Sequence, residues 1–257
     1  MKLHYKVSGE GEPLVILHGL FGTLENWGGQ VRTLSEHFRV FALDLRNHGR
    51  SPWSERMDYP AMADDVLEFL DDQGLEQVAV LGHSMGGKVA MQLALAHPGR
   101  VARLIVADIA PVVYPPRHME VFDGLFSVPL ATLQSRGEAE ERLKAHVTDP
   151  GVRQFLLKNL YREEGKFAWR VNLKVLQREY EHIAAAPEAP RAQGCYKGPT
   201  LFIKGGASEY IQETHRPAIE ALFPAARARI MAGVGHWPHA EKPALFTQLV
   251  LKFLQSA

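Results

Sequence analysis

Short runs of consecutive apolar residues alternate with segments of helical periodicity over the first 111 residues. An uninterrupted apolar run is typical of a strand buried on both faces, as in a parallel sheet covered by helices. Between two of these runs, residues 59–73 place Met62, Val66, Phe69 and Leu70 on one face at helical spacing. The pattern predicts an α/β fold with a mostly parallel sheet flanked by helices. The runs are residues 14–17, 40–43, 78–81 and 104–107.

This alternation breaks at Pro111 and resumes at Thr200. Residues 112–199 contain segments of helical character separated by prolines, and no convincing buried strand is found among them. We therefore predict a core built from residues 1–111 and 200–257, with residues 112–199 inserted as a helical cap. Ligands of such sheets bind at the carboxyl ends of the strands. The expected cap helices are 118–126, 132–146, 152–160 and 171–186, followed in the core by strands at 200–204 and 227–230 and helices at 215–223 and 243–255.

The composition narrows the classes of protein to which the chain can belong. Basic and acidic residues number 29 each among 257, so a zero net charge gives no electrostatic signature of a nucleic-acid or anionic-membrane partner. The one cysteine, Cys195, can form no disulfide within the chain, which suits a reducing compartment. No apolar run is long enough to span a bilayer. We expect a cytoplasmic protein that acts on a small molecule; its oligomeric state stays open.

A serine lies in a tight turn between the buried strand at 78–81 and a helix-forming segment. The turn reads Gly82-His83-Ser84-Met85-Gly86, and glycine on either side of the serine removes the Cβ atoms that would collide there. A turn this sharp holds its central residue in an unfavourable conformation, exposed above a helix N-terminus. The motif favours Ser84 as a catalytic nucleophile. The alternative is a serine that only caps an ordinary helix.

A serine nucleophile needs a base, and His236 is the best placed of the 12 histidines. It lies in a glycine-flanked loop between the last strand and the closing helix, and the order nucleophile, acid, histidine is usual for this architecture. His236 and His239 could also suggest a metal pair, but a third ligand and a placed carboxylate are missing from the sequence. We therefore expect no metal and no cofactor.

The loop after the first buried strand reads His18-Gly19-Leu20-Phe21-Gly22. Glycines there let the chain fold back over the sheet edge and present backbone N–H groups. An oxyanion hole would combine the N–H of Met85 with an N–H of this loop, from Leu20 or from Phe21. The sequence does not decide between these two residues.

Four segments together resemble the α/β-hydrolase superfamily. They are His18-Gly19, residues 44–51, the turn around Ser84 and Gly235-His236. The full loops at 18–22 and 46–51, with Val106-Ala107-Asp108-Ile109-Ala110-Pro111, more closely resemble the YbfF-like esterases. The resemblance implies an α/β-hydrolase fold and a cytoplasmic carboxylesterase, and it extends the candidate substrates to thioesters such as acyl-CoA. It also implies Ser84 as nucleophile and His236 as base.

The acid of the expected triad is not where many members of the superfamily carry it. Their aspartate follows the penultimate strand, where this chain reads Gly205-Gly206-Ala207-Ser208-Glu209. Asp108 instead ends the strand that follows the nucleophile's helix, and its apolar neighbours would leave it poorly solvated without a partner. The YbfF-like resemblance also places the acid in this segment. We predict Asp108 as the acid, with an aspartate that caps the start of the insertion as the alternative.

Aromatic side chains predict the substrate pocket. Phe122 and Trp169 in the cap, with Phe21 and Trp237 beside the expected site, are candidates for its walls, although packing within the cap is an equal alternative for the cap residues. We predict a serine carboxylesterase, with acyl-CoA thioesterase activity as an extension, that cleaves short to medium acyl groups. The alternatives are a cofactor-free carbon–carbon hydrolase, a perhydrolase or haloperoxidase on the same fold, and a ligand-binding receptor that retains the triad.

Overall fold

A seven-stranded sheet forms the centre of the computed structural model, which describes residues 1–189 and 194–256. The strand order is β1-β3-β2-β4-β5-β8-β9, and neighbouring strands are parallel except β1, which runs antiparallel to β3. The strands in chain order are β1 (Tyr5–Ser8), β2 (Pro13–Leu17), β3 (Arg39–Leu43), β4 (Val78–His83), β5 (Val101–Ala107), β6 (Leu160–Glu163), β7 (Lys166–Trp169), β8 (Thr200–Gly205) and β9 (Ala226–Met231).

Helices cover both faces of the sheet, as the apolar runs predict. Alternate residues of β2 separate into two apolar cores, because successive side chains of a strand point to opposite faces. Val15 and Leu17 pack on the side of α2 and α3, whereas Leu14 and Ile16 pack on the side of α1 and α11. The helices are α1 (Gly28–Leu34), α2 (Tyr59–Asp72), α3 (Met85–Ala96), α4 (Met119–Ser127), α5 (Arg136–Lys144), α6 (Pro150–Leu157), α7 (Leu173–Arg178), α8 (Tyr180–Ala184), α9 (Arg216–Leu222), α10 (Pro238–Glu241) and α11 (Pro243–Leu254).

The helices α4 to α8 lie between β5 and β8, in the region where the sequence pattern loses its strands. The helix expected over residues 132–146 is shorter, because Ser135 accepts a hydrogen bond from the Glu138 N–H and begins α5 only at Arg136. The segment expected as one helix over 171–186 is divided at Glu179 into α7 and α8. None of the helices in the described part of the chain combines the length and apolar content needed to cross a bilayer.

One feature of this region differs from the sequence prediction. The sequence pattern shows no convincing buried strand between residues 112 and 199, but two short, partly exposed strands, β6 and β7, form an antiparallel pair there. The turn between them holds Glu164 at φ 48° and Gly165 at φ 83°. Two consecutive residues with positive φ make the tight hairpin connection that suits the twist of antiparallel strands. The expected helix over 152–160 is therefore wrong at its end, since α6 stops at Leu157 and Leu160 begins β6.

The chain returns from the insertion along α3. The Lys88 ammonium donates a hydrogen bond to the Ala184 carbonyl oxygen at 3.0 Å. The Gln92 side chain exchanges two hydrogen bonds with the backbone of Glu188, at 2.9 Å and 2.7 Å. These bonds fix residues 184–188 to the helix that begins directly after the nucleophile candidate.

Candidate active site

The predicted catalytic residues lie at one edge of the sheet. Ser84 directly follows β4, Asp108 directly follows β5, and His236 lies in the loop after β9. Because β4, β5, β8 and β9 are parallel and adjacent in that order, their carboxyl ends bring these residues together from distant parts of the chain.

The backbone around Ser84 is strained, with φ 52° and ψ −119°. A Cβ atom on Gly82 would lie 2.2 Å from the Gly86 carbonyl oxygen, and one on Gly86 would lie 2.5 Å from that of His18. No larger residue fits at either position without moving backbone. The two glycines therefore allow the close approach of β4, α3 and the loop after β2 that holds the serine above the helix N-terminus.

His236 connects Ser84 to Asp108. Its Nε2 atom lies 3.1 Å from the Ser84 Oγ, and its Nδ1 atom lies 2.8 Å from the Asp108 Oδ2. The imidazole ring also stacks on Tyr210, with ring centroids 3.8 Å apart and planes inclined by 20°. With Nδ1–H donating to the carboxylate, the lone pair on Nε2 faces the serine hydroxyl, which is the arrangement that general-base activation requires.

The carboxylate of Asp108 is fully buried and accepts several hydrogen bonds. The Gly205 N–H donates to Oδ1 at 2.8 Å, and the Ser208 hydroxyl donates to Oδ2, the oxygen that also faces His236. A buried carboxylate is stable only with such partners. Glu209, the neighbouring carboxylate, points away: its side chain is 75% exposed and lies 3.5 Å from Arg117.

The loop after β2 closes a turn in which the Gly22 N–H donates to the Gly19 carbonyl oxygen at 2.9 Å. Phe21 in this turn has φ 59°, an uncommon value for a bulky residue. Its N–H donates to the His48 Nε2 at 3.2 Å, and its carbonyl oxygen accepts from the Asn159 amide at 2.7 Å. The Phe21 N–H is thus occupied within the protein.

The Leu20 and Met85 N–H groups have no hydrogen-bond partner within residues 1–189 and 194–256. His18 holds this turn in place by two hydrogen bonds. Its Nδ1 donates to the Gly19 carbonyl oxygen at 2.8 Å, and its Nε2 accepts from the Leu45 N–H at 2.9 Å. Of the two candidate donors in this loop, Leu20 is the one whose N–H is free.

Burial keeps several histidines of the site neutral. It lowers the pKa of His18 to about 4 and, with the nearby His18, the pKa of His48 to about 3. Burial, with His239 and His236 beside it, also holds the pKa of His83 well below its usual range. The His83 Nε2 lies 2.7 Å from the His236 carbonyl oxygen. In a neutral imidazole one nitrogen donates a hydrogen bond and the other accepts one. These histidines can therefore hold neighbouring backbone groups in place at physiological pH.

A cavity of about 260 Å³ opens onto Ser84 and His236. Of the four aromatic residues predicted to form its walls, Phe21 and Trp237 line it. Phe122 and Trp169 are instead buried in the main apolar core of the described structure. Phe122 packs there edge-on against Phe21. Its walls are mainly apolar, from Leu20, Phe21, Trp27, Val121, Val152, Phe155, Leu156 and Trp237.

Among the residues that line this cavity and that sequence reasoning missed, His118 and Tyr210 carry polar groups. Both also line a smaller cavity of about 30 Å³, which likewise contacts Ser84 and reaches Lys88. Neither lies in a recognisable motif, and only their positions just before α4 and after β8 could have pointed to the sheet edge. No cluster of three or more histidine, cysteine or acidic residues that could hold a metal ion occurs among the residues described.

Comparisons with known proteins agree with this architecture. A sequence profile described as the alpha/beta hydrolase fold matches residues 12–243. Esterase YbfF of Escherichia coli (strain K12) is 41% identical over 94% of this chain and 92% of its own length. The Mus musculus protein named sn-1-specific diacylglycerol lipase ABHD11 is 40% identical over 94% of this chain and 80% of its own. A solved structure titled marine microorganism esterase superposes with a TM-score of 0.95 at 39% identity, covering 98% of this chain and 99% of that one.

Proposed function

Since the chain belongs to the α/β-hydrolase family and is a carboxylic ester hydrolase of the YbfF-like kind, we propose that it cleaves short to medium acyl esters through a Ser84–His236–Asp108 triad. The observation that carries the proposal is the continuous hydrogen-bonded path from the Ser84 hydroxyl through His236 to Asp108. Thioesters such as acyl-CoA are further substrates to be tested. No metal ion or cofactor takes part in the proposed reaction.

The reaction has two halves. The Ser84 Oγ attacks the ester carbonyl carbon while His236 Nε2 takes the hydroxyl proton, and the carbonyl oxygen becomes an oxyanion. His236 then gives this proton to the leaving alcohol, the carbon–oxygen bond to the alcohol breaks, and an acyl-enzyme remains on Ser84. In the second half, water attacks the acyl carbon while His236 takes the water proton. His236 then returns this proton to the Ser84 Oγ, the bond from Oγ to the acyl carbon breaks, and the carboxylic acid product leaves.

We assign the oxyanion hole to the N–H groups of Leu20 and Met85. Both are free of protein partners in the described part of the chain, and Met85 begins α3, whose N-terminus favours negative charge. The Phe21 N–H is committed to His48 and is not assigned here. Asp108 holds the Nδ1–H tautomer of His236 and stabilises the imidazolium that forms in each half of the reaction.

Residues 112–199 act in this proposal as the cap that limits the acyl group. They supply Val121, Val152, Phe155 and Leu156 to the wall of the larger cavity. A cavity of about 260 Å³ with apolar walls favours an uncharged acyl group of short to medium length. Bulky or highly charged substrates, such as peptides and phosphoesters, fit it poorly.

The test combines covalent labelling with a substrate panel. A fluorophosphonate should add one adduct, located at Ser84 by peptide mass spectrometry, and Ser84→Ala should lose both the adduct and turnover. Wild-type protein is then assayed on p-nitrophenyl esters and acyl-CoAs of graded chain length, a 1,2-diacylglycerol, a carbon–carbon hydrolase substrate and a halide peroxidation assay. Turnover that survives in Ser84→Ala, or a labelled protein that hydrolyses no ester, would refute the proposal; the second result would favour the receptor alternative.

A further inference from the structure

His118 occupies a special position in the insertion. It lies directly before α4 and lines both the larger and the smaller cavity, which meet at Ser84. The other residues that the insertion contributes to the larger cavity, among those described, are apolar: Val121, Val152, Phe155 and Leu156. His118 therefore brings a polar group to a largely apolar wall above the nucleophile.

The hydrogen bonds of Tyr180 determine which nitrogen of His118 carries the proton. The Tyr180 phenolic oxygen accepts a hydrogen bond from the Arg117 N–H at 3.3 Å and lies 2.5 Å from the His118 Nδ1. The phenolic proton needs an acceptor, and Nδ1 is the one within reach in the described structure. A neutral imidazole that accepts at one nitrogen carries its hydrogen on the other. The proton of His118 is therefore on Nε2.

The electrostatic surroundings keep this ring neutral. Burial lowers the pKa of His118 to about 4, and the neighbouring His236 and Arg117 act in the same direction. Nε2 has no hydrogen-bond partner among the residues the structure describes, and it is not one of their fully buried unpaired polar atoms. Since His118 lines both cavities, this N–H is accessible to a substrate bound there. This group is a neutral hydrogen-bond donor, which suits an uncharged oxygen acceptor.

We propose that His118 donates its Nε2–H to a second oxygen of the ester substrate, so that the enzyme selects esters with an ether, hydroxyl or carbonyl oxygen near the scissile bond. This inference rests on the proposed function. It holds whether the second oxygen belongs to the acyl group or to the alcohol, because His118 lines both of the cavities that contact Ser84. A purely apolar ester bound over this N–H would cover it without giving it a partner, and such unpaired groups are the strongest source of discrimination in an enzyme site.

The test uses three esters of equal heavy-atom number: butyl butyrate, butyl methoxyacetate and 2-methoxyethyl butyrate. One methylene becomes an ether oxygen on the acyl side in the second ester and on the alcohol side in the third. For each variant, kcat/KM on each ether ester is divided by kcat/KM on butyl butyrate. An ether oxygen also changes the intrinsic reactivity of an ester, so the informative quantity is the change in this ratio between wild type and variant, in which intrinsic reactivity cancels.

The expected result is that His118→Phe lowers the ratio at least about fivefold for one of the two ether esters, and the affected ester shows which side the oxygen occupies. Tyr180→Phe keeps the histidine but no longer fixes its proton on Nε2, and it should lower the same ratio by a smaller factor. His118→Gln places an amide donor near the position of Nε2 and should therefore retain part of the wild-type ratio. His182→Phe, at an exposed histidine on α8, is the matched control.

Ratios that are the same in His118→Phe and wild type for both ether esters would overturn the inference. So would an equal loss of activity on all three esters, which is the signature of a structural role. Fluorophosphonate labelling of each variant shows whether the nucleophile remains intact. Failure of the proposed function would appear differently, as wild-type protein that hydrolyses none of the three esters.

Discussion

The Ser208 hydroxyl donates a hydrogen bond to the Asp108 carboxylate. Ser208 lies in the loop after β8, where many members of the superfamily carry the acid, whereas Asp108 ends the neighbouring strand β5. The two strands pair in parallel, so a carboxylate at the end of β5 reaches both this loop and His236. In the proposed triad the acid therefore ends β5, and the loop after β8 supplies a hydrogen-bond donor to it.

Asp108→Asn should lower kcat by about 10²–10⁴ while the fold is retained, because the variant loses both the charge and the correct orientation of His236. Steady-state kinetics on a p-nitrophenyl ester, with circular dichroism as the fold check, measures the effect. The matched control is Glu209→Gln, which alters a mostly exposed carboxylate and should leave kcat within about twofold. If the two variants ranked in the opposite order, the acid would have to be Glu209.

Ser208→Ala should lower kcat by about tenfold, the effect expected when a buried carboxylate loses one hydrogen bond. The Gly205 N–H remains in place on the other oxygen, so the loss should be far smaller than in Asp108→Asn. Ser208→Thr keeps the hydroxyl and should recover most of the activity. A Ser208→Ala enzyme with wild-type kcat would show that this hydrogen bond does not support the acid.

His83 should act as a positioning residue, because its Nε2–H donates to the His236 carbonyl oxygen and its Nδ1 lies against the loop of Gly19. His83→Leu should reduce kcat by about tenfold with KM nearly unchanged, since the bond supports the base and not the substrate. His83→Gln retains a donor and should restore most of kcat. The kinetic split is the test: a rise in KM alone would place His83 in substrate binding instead.

Acid should destabilise the fold below about pH 6.5. Burial lowers the pKa of His18 to about 4 and lowers those of His48 and His239 to about 3, against an ordinary value of 6.5. Between these values the unfolded chain binds more protons than the folded one, so the free energy of unfolding falls as the pH falls. Between its folded and unfolded pKa values, each histidine can lower the free energy of unfolding by up to about 1.4 kcal/mol per pH unit.

Urea denaturation followed by tryptophan fluorescence at several pH values measures this effect. The midpoint should fall steadily from about pH 6.5 to about pH 4, and His239→Gln should show a shallower decline than wild type, since one of the buried histidines no longer titrates. A midpoint that stays level across this range would contradict the neutral state assigned to these rings.

The sequence predicted best what depends on local pattern. Buried strands need continuous apolar runs, and the turn at Ser84 needs small residues at Gly82 and Gly86, so both leave a visible signature. Asp108 could be placed at the correct sheet edge because it ends a recognisable strand. Glu164 was missed as a turn residue, because a positive φ at glutamate is set by the β6–β7 pairing and not by its own preference.

The cavity walls could not be predicted in the same way. An apolar residue on a helix between β5 and β8 faces either the cavity or the core, and the choice depends on how several helices pack together. Phe122 and Val121 are adjacent on α4, yet Phe122 is buried in the core and Val121 lines the cavity. His118 was missed because its role depends on Tyr180, which lies 62 positions away along the chain.

The attachment of the returning chain to α3 has a consequence for how such enzymes diversify. Lys88 and Gln92 bind the backbone of Ala184 and Glu188, so one anchor of the returning chain lies on the same helix that carries Ser84 at its start. The segment between Pro111 and Ala184 can then be lengthened, shortened or exchanged at little cost in chain entropy while both of its ends stay fixed. Under the proposed function this segment carries the insertion's share of the cavity wall, so evolution or a protein engineer can change the substrate range without moving the helix that follows Ser84, provided that the bond from Asn159 to Phe21 is kept.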